Sequence, residues 1–386
     1  MKVLDMNSHP VVTFGQTRGH PALIRGLNSL NALNLVRGEG AVTAARVAQA
    51  IGVSRTAIES ILGDLMEADW LVRGSPDEVA GLGRPAARYD LSPAAGYVGA
   101  IEFDSERVGV AVADLKGDIL ATLTRPVGEG MDGDERAELG VSLFQDIVRQ
   151  KHIGSTSVRC VSAASPGVIN RGKVTHFGGH GMPGWIGRNL GVELQQKLGL
   201  SVIVGGDSAL GALAEKRMGR GKDCDDFVYI YSGRRTGAAV ISNGRIVRGF
   251  HGGVGLIGEL PELRWRELES IAFGHDSAAD IAGILGLGIS AMVLAVDPEL
   301  VLIGGPSRDR IAPILSLIGS EVSHRCPISP EMDMGFFGDD AVMRGAVCLA
   351  VDHINEALSQ RIAAGEGLPS PDSLNRLLLS GNETVV

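Results

Sequence analysis

Cysteine is scarce in this chain. Cys160, Cys224, Cys326 and Cys348 stand far apart among 386 residues, and no CxxC pair occurs. That pattern gives neither a disulfide framework nor a zinc ribbon, and it fits a reducing compartment. A long apolar run is also missing. The opening MKVLDMNSHP lacks the apolar segment of a secretory signal. The longest uncharged stretch, residues 281–296, is closed by Asp280 and Asp297 and falls short of the ~20 residues that span a bilayer. A buried helix, no membrane partner and a cytoplasmic location are expected. Positive charge is not in excess either: 36 basic against 45 acidic residues give a net charge of −9, so the whole molecule is not a nonspecific polyanion binder.

Glycine is abundant. Its 54 residues are about twice the usual ~7% and follow no strict period, which points to tight turns and close backbone approaches rather than collagen. The length leaves room for two or three domains at roughly 100–200 residues each. Charge divides them unevenly. Residues 1–90 hold nine acidic and nine basic residues, so the entire acid excess lies beyond. Eight of those nine basic residues are arginine, suited to planar contacts with phosphate or base edges.

After a leader, residues 1–20, the spacing of Leu23, Leu27, Leu30 and Leu33 predicts a helix over 22–37 ended by Gly38. Thr43 reads as the N-cap of AARVAQAIG. Ser54 caps RTAIESILGDLMEA, with Ile58, Ile61, Leu62 and Leu65 inward. The two helices flank an expected four-residue turn. Residues 87–91 then form the return strand of a hairpin whose loop carries GLGRPA. This is the pattern of a winged helix-turn-helix over residues 21–92. Short helical hairpins also serve as plain packing modules, so the pattern alone leaves that reading open. Ser54, Arg55 and Thr56 at the start of the recognition helix, with Arg84 and Arg88 in the wing, are the candidate contacts to double-stranded operator DNA.

From Tyr97 the pattern changes and occurs twice. YVGAIEFDSERVGVAVADLKGDIL and FVYIYSGRRTGAAVISNGRIV each give a strand, a polar turn, a second strand and a hairpin turn. Helical segments follow each copy, which implies two α/β lobes facing a cleft, about 93–215 and 216–386 within a domain 93–386. The stretch 301–305, VLIGG, reads as a buried strand entering a glycine turn.

These residues resemble the ROK family of bacterial repressors and sugar kinases. The carriers are GVSRTAIESIL, GRPA, SPGVI at 165–169, PGW at 183–185, GDSALGALAE at 206–215, SNGRIVRG, GLIGE at 255–259 and DPELVLIGG at 297–305. The resemblance runs nearly end to end. It implies a two-lobed, actin-like and ribonuclease-H-like ATPase fold, and the winged segment places the chain with the repressor branch. In the family's kinases an Asp-x-Gly-x-Thr loop cradles ATP phosphates. Here it reads Glu102-Phe103-Asp104-Ser105-Glu106, and the second phosphate loop is Gly233-Arg234-Arg235-Thr236-Gly237. A carboxylate ~4 Å from a phosphate costs roughly 4 kcal/mol at an effective dielectric of 20, so ATP binding and kinase chemistry are not expected.

Asp207 matches the family's general base on the sugar hydroxyl, and the lone residue could equally cap a helix. Its usual asparagine neighbour is Gly206. Leu256-Ile257-Gly258-Glu259 replaces Glu-Ile-Gly-His, and Glu269, separated from Glu259 by nine residues, aligns with the last sugar-contacting glutamate. Gly206, Asp207, Glu259 and Glu269 are the candidate effector residues. The cysteine-rich zinc loop of the family is absent, and with only Glu259 and the scattered His251 and His275 near, no metal is expected, nor any cofactor. The resemblance thus implies a homodimeric repressor, possessing no catalytic residues, that answers to a sugar. The alternatives are a sugar kinase with an appended DNA-binding domain, and a regulator without a small-molecule effector, controlled by a protein partner or by its abundance. A last expectation joins the two altered loops: Asp104 or Glu106 on one lip should pair with Arg234 or Arg235 on the other and latch the empty nucleotide cleft.

Overall fold

The computed structural model describes residues 21–74, 86–128, 130–268 and 277–381. The leader, Arg84 in the wing, and Glu269 and His275 lie outside them.

Helix α1 (Pro21–Glu39) buries Leu30, Leu33 and Val36. It runs past Gly38 and is closed by Gly40, at φ +75°, whose N–H donates to the Val36 carbonyl at 2.9 Å. Strand β1 (Val42–Thr43) leads into α2 (Ala44–Ile51), capped by the Thr43 hydroxyl. Helix α3 (Arg55–Glu67) is capped by Ser54 and buries Ile58, Ile61, Leu62 and Leu65. The turn between α2 and α3 holds three residues rather than four, because Ile51 stays helical until the left-handed Gly52 stops the helix. Strands β2 (Leu71–Gly74) and β3 (Arg88–Leu91) pair antiparallel, and β1 completes a sheet of order β1-β3-β2.

The first lobe holds β4 (Tyr97–Phe103), β5 (Arg107–Asp114), β6 (Ile119–Pro126), α4 (Gly133–Gln150), β7 (Val158–Ser165), the hairpin β8 (Val168–Asn170) and β9 (Lys173–His176), α5 (Leu190–Leu198) and β10 (Ser201–Gly206). Helix α6 (Asp207–Met218) leads to the second lobe. There β11 (Phe227–Ser232), β12 (Thr236–Ser242), β13 (Arg245–Ile246), α7 (Ala278–Val296), β14 (Leu300–Gly304), α8 (Arg308–Ile311), α9 (Leu315–Arg325) and β15 (Glu331–Met334) follow. Helices α10 (Ala341–Ala363) and α11 (Leu374–Gly381) end the chain.

The sheet orders are β6-β5-β4-β7-β10 and β13-β12-β11-β14-β15. In both, the first three strands are antiparallel and the last two join parallel, so the repeat seen in the sequence is a repeat of topology. Residues 341–378, expected in the second lobe, pack elsewhere. Helix α10 lies on α6 and on β4 and β7 of the first sheet, because it is apolar on several sides and buries residues from Ala341 to Ile362. Helix α7 meets the expectation of a buried helix only in part. It packs on α9 and is long and apolar enough, by length and composition, to cross a membrane; only half of it is buried, with Leu287 and Leu294 on an exposed face.

The winged unit is docked on this body. Arg37, 2% exposed, donates from Nε to the Leu115 carbonyl at 2.9 Å and from Nη1 to Asn355 Oδ1 of α10 at 2.5 Å. Trp70 Nε1 donates to the Pro369 carbonyl at 2.7 Å, and Lys116 pairs with Asp90 at 2.8 Å.

Candidate functional site

The cleft between the lobes opens into one cavity. Strand β10 ends at Gly206, and Asp207 opens α6 on the cavity wall. An acid in the first turn suits the positive end of a helix dipole. Its Oδ1 accepts from Ser208 N at 2.6 Å and Ser208 Oγ at 3.1 Å. Burial pushes this carboxyl up to about 6, and the Ser208 hydrogen bonds offset part of the rise. Gly206 sits beside the Gly167 carbonyl, where a Cβ would stand 3.3 Å away.

The SPGVI segment builds the adjoining stretch of wall. Gly167 adopts φ +92°, and a Cβ there would meet the His176 carbonyl at 2.2 Å, so only glycine fits. Of the PGW segment, Trp185 lies behind the wall rather than on it: it is 1% exposed, packs at a tilt with its ring centroid 5.1 Å from that of Phe103 and donates to Ser165 Oγ at 3.0 Å.

Both altered loops reach the same cleft. Asp104 Oδ1 accepts from Glu106 N at 2.9 Å, and Arg136 of α4 donates to the Asp104 carbonyl, which fixes the turn. Across the cleft Arg234 Nη1 meets Glu106 Oε1 at 3.2 Å. One of the expected pairs is therefore present. Arg235 is not its second member: it donates to the Gly178 carbonyl and to Glu259 Oε1 at 3.1 Å. Glu259, expected to receive an effector hydroxyl, also binds Arg266 and lies 3.4 Å from His176. Burial alone would raise its pKa; the hydrogen bonds from Arg266 and His176 outweigh that and lower it.

Sequence reasoning missed Arg107. This guanidinium joins Glu102 at 3.2 Å and Asp339, filling the place beside the first phosphate loop with a cation of the protein's own. Burial pushes Glu102 up to about 7 although Arg107 pulls it down. Also missed were Arg248 and His180, which line the cavity. Arg248 falls within SNGRIVRG, but nothing in that segment says where its side chain goes. For a structural zinc the donors do not fit: among the described residues no group of three or more His, Cys, Asp or Glu side chains could hold a metal ion.

On the winged unit Ser54, Arg55 and Thr56 sit together at the exposed start of α3. The Ser54 hydroxyl accepts from Ala57 N at 3.3 Å, so it serves the helix as a cap. Arg55 Nε donates to Glu59 Oε1 at 2.9 Å, a partner legible from the i,i+4 spacing. Arg25 of α1 holds Ser60 and Asp64. Arg88 is half-buried and donates to the Ala41 carbonyl at 3.0 Å, which ties it to the small sheet.

A helix-turn-helix unit docked on two lobes of repeated topology defines a two-lobed ATPase-type fold with an N-terminal winged helix. Residues 98–263 match the ROK family. Over 248 residues, 63% of this chain and 59% of the relative, it is 26% identical to the DNA-binding transcriptional dual regulator NagC of Escherichia coli (strain K12). The match thus spans about three fifths of that protein's length. Among solved structures, a ROK family transcriptional regulator described as a homologue of the E. coli MLC protein superposes with a TM-score of 0.65 at 18% identity, covering 93% of this chain and 100% of that one. The ROK hexokinase of Thermus thermophilus gives a TM-score of 0.56 at 19% identity, covering 67% and 99%. At these identities the likeness establishes the fold.

Proposed function

We propose that the chain is a DNA-binding transcriptional repressor whose ROK body senses a sugar or related metabolite and does not phosphorylate it. The observation that carries this reading is the Glu106–Arg234 pair across the nucleotide cleft, in a body that holds a winged helix through Arg37 and Trp70. Carboxylates at Asp104 and Glu106 repel the phosphates that a kinase must seat there. Arg55 of α3 reads base edges and the wing touches phosphate or the minor groove. One winged helix covers one half-site, so the protein acts as a homodimer on a roughly palindromic operator in the cytoplasm.

Asp207 favours the second reading, a sugar kinase with an appended DNA-binding domain, because a half-buried carboxyl near pKa 6 suits a general base. Genome-wide mapping of bound DNA followed by footprinting tests the first reading, with protection of a two-fold site expected. Sugar-dependent ATP turnover above that of an Asp207→Asn control would instead establish the kinase.

A further inference from the structure

Helix α3 buries Ile58, Ile61, Leu62 and Leu65 and turns its other face outward. In its first turns that outer face carries two long side chains, Arg55 and Glu59, among the short Thr56, Ala57, Ser60 and Gly63. Farther along, Ser60 and Asp64 already accept from Arg25 of α1. Reach into a groove therefore falls to Arg55 and Glu59. Gly63 has no packing reason, because a Cβ there would meet nothing within 4 Å. A glycine inside a helix weakens it relative to alanine, and at an open outward position it lets another molecule approach the backbone closely.

Glu59 is the unexpected member, since a carboxylate on a face that meets DNA is repelled by phosphate. Its pair with Arg55 uses only Arg55 Nε and Glu59 Oε1, at 2.9 Å. The Nη groups of Arg55 and Oε2 of Glu59 have no partner among the described residues, and the side chains are 71% and 46% exposed. The Nε bond limits the rotation of the guanidinium while its Nη edge, the fork that fits guanine O6 and N7, stays unspent. For Oε2 the four bases differ at the major-groove edge. Guanine presents two acceptors, thymine an acceptor and a methyl, and adenine sets N7 beside its amino group; cytosine offers N4–H2 with no acceptor of its own. Resting on the reading that α3 enters the major groove of an operator, we propose that Glu59 is a second base-reading residue, which holds Arg55 toward a guanine and accepts from the N4 amino group of a cytosine. Four helical residues span roughly 6 Å, so the two bases lie within about two base pairs of each other at ~3.4 Å per step.

Selection of bound duplexes from a randomised DNA library, with the full chain and its variants, tests this base by base. The unaltered chain is expected to enrich half-sites with a guanine and, within about two base pairs, a cytosine favoured about tenfold or more over the other bases. Glu59→Gln should remove the cytosine preference and shift that position toward adenine, whose N6 and N7 suit an amide, while the guanine position persists. Arg55→Ala should flatten the guanine position. Both residues are exposed, so the unfolding temperatures of the variants should match that of the unaltered chain, which separates lost reading from lost folding. A cytosine preference that survives Glu59→Gln overturns the inference. So does a loss confined to the guanine position, which would make Glu59 a positioning residue for Arg55 and nothing more. An enriched sequence that neither variant alters overturns the inference and leaves operator binding standing. Failure of the unaltered chain to enrich any sequence overturns the operator reading together with the inference.

Discussion

Replacing Arg107 by methionine should destabilise the protein in a pH-dependent way, and the sign follows from Glu102. That carboxyl is 7% exposed and burial lifts it from its ordinary 4.5 to about 7. A raised acid binds its proton more tightly when folded. Its contribution to stability is full below pH 4.5 and is lost as pH climbs to 7, a swing of about 3 kcal/mol at 1.36 kcal/mol per unit. Without the guanidinium 3.2 Å away, the folded pKa climbs past 7 and the loss continues at about 1.4 kcal/mol for each further unit. At pH 5 Glu102 is protonated with or without Arg107. The variant then loses a hydrogen bond and the half-exposed Asp339 pair, together about 1 kcal/mol. At pH 8 the cost should reach about 2–3 kcal/mol. Urea unfolding at the two pH values measures the difference, and Glu102→Gln in the same background should erase it. An equal loss at pH 5 and pH 8, or a pH difference that survives Glu102→Gln, would refute the reasoning.

Arg55→Ala should cost about 1–3 kcal/mol on specific operator and little on nonspecific DNA in fluorescence anisotropy; equal losses on both would show that Arg55 does not read bases. For the cleft pair, Glu106 is 66% exposed, so a double-mutant cycle of Glu106→Arg with Arg234→Glu should give a coupling of at most about 1 kcal/mol. Additivity within about 0.3 kcal/mol would mean that no latch exists. Arg37→Met strands the Leu115 carbonyl and the Asn355 amide and should cost about 1–3 kcal/mol for each; a change in unfolding free energy below about 0.5 kcal/mol would show that the joint is not held there.

The parts of this molecule that are legible in the sequence are those set by neighbours along the chain. Thr43 and Ser54 announce their helices because a cap is a contact over three residues. The two copies of the strand-turn-strand pattern announce themselves because period and turn residues are local. Asp207 is found through the family resemblance, from the motif GDSALGALAE that helps carry it. What is not legible depends on partners far apart. Arg107 and Asp339 are separated by 232 residues, Arg37 and Asn355 by 318. Arg235 turns to Gly178 and Glu259 rather than to the acids that the sequence sets opposite it. Complementary charge on two lips identifies a possible pair and does not choose among four side chains, because reach and direction come from the turn at Gly233, whose N–H donates to the Arg235 carbonyl at 3.1 Å.

The return of α10 to the first lobe supplies a packed element that touches both the cavity's helix and the winged unit. Asp207 opens α6, and α6 makes with α10 the most extensive helix contact in the molecule. At Gly345 a side chain would strike the backbone of Leu210, so the two helices meet backbone to backbone and one cannot shift without the other. Farther along α10, Asn355 holds Arg37 and Ile362 packs at Gly26, where a Cβ would approach to 3.0 Å. Leu349, on α10, reaches the cavity wall itself. Ligand binding that biases α6 therefore has a packed route of two helices to α1, and α1 carries α3 through the bonds from Arg25 to Ser60 and Asp64. Such a route transmits only a difference in ligand affinity between two arrangements of these helices. Glu106–Arg234 and Arg107–Asp339 bridge distant parts of the chain at the cleft, so on the proposed reading that difference falls to the cavity at Asp207.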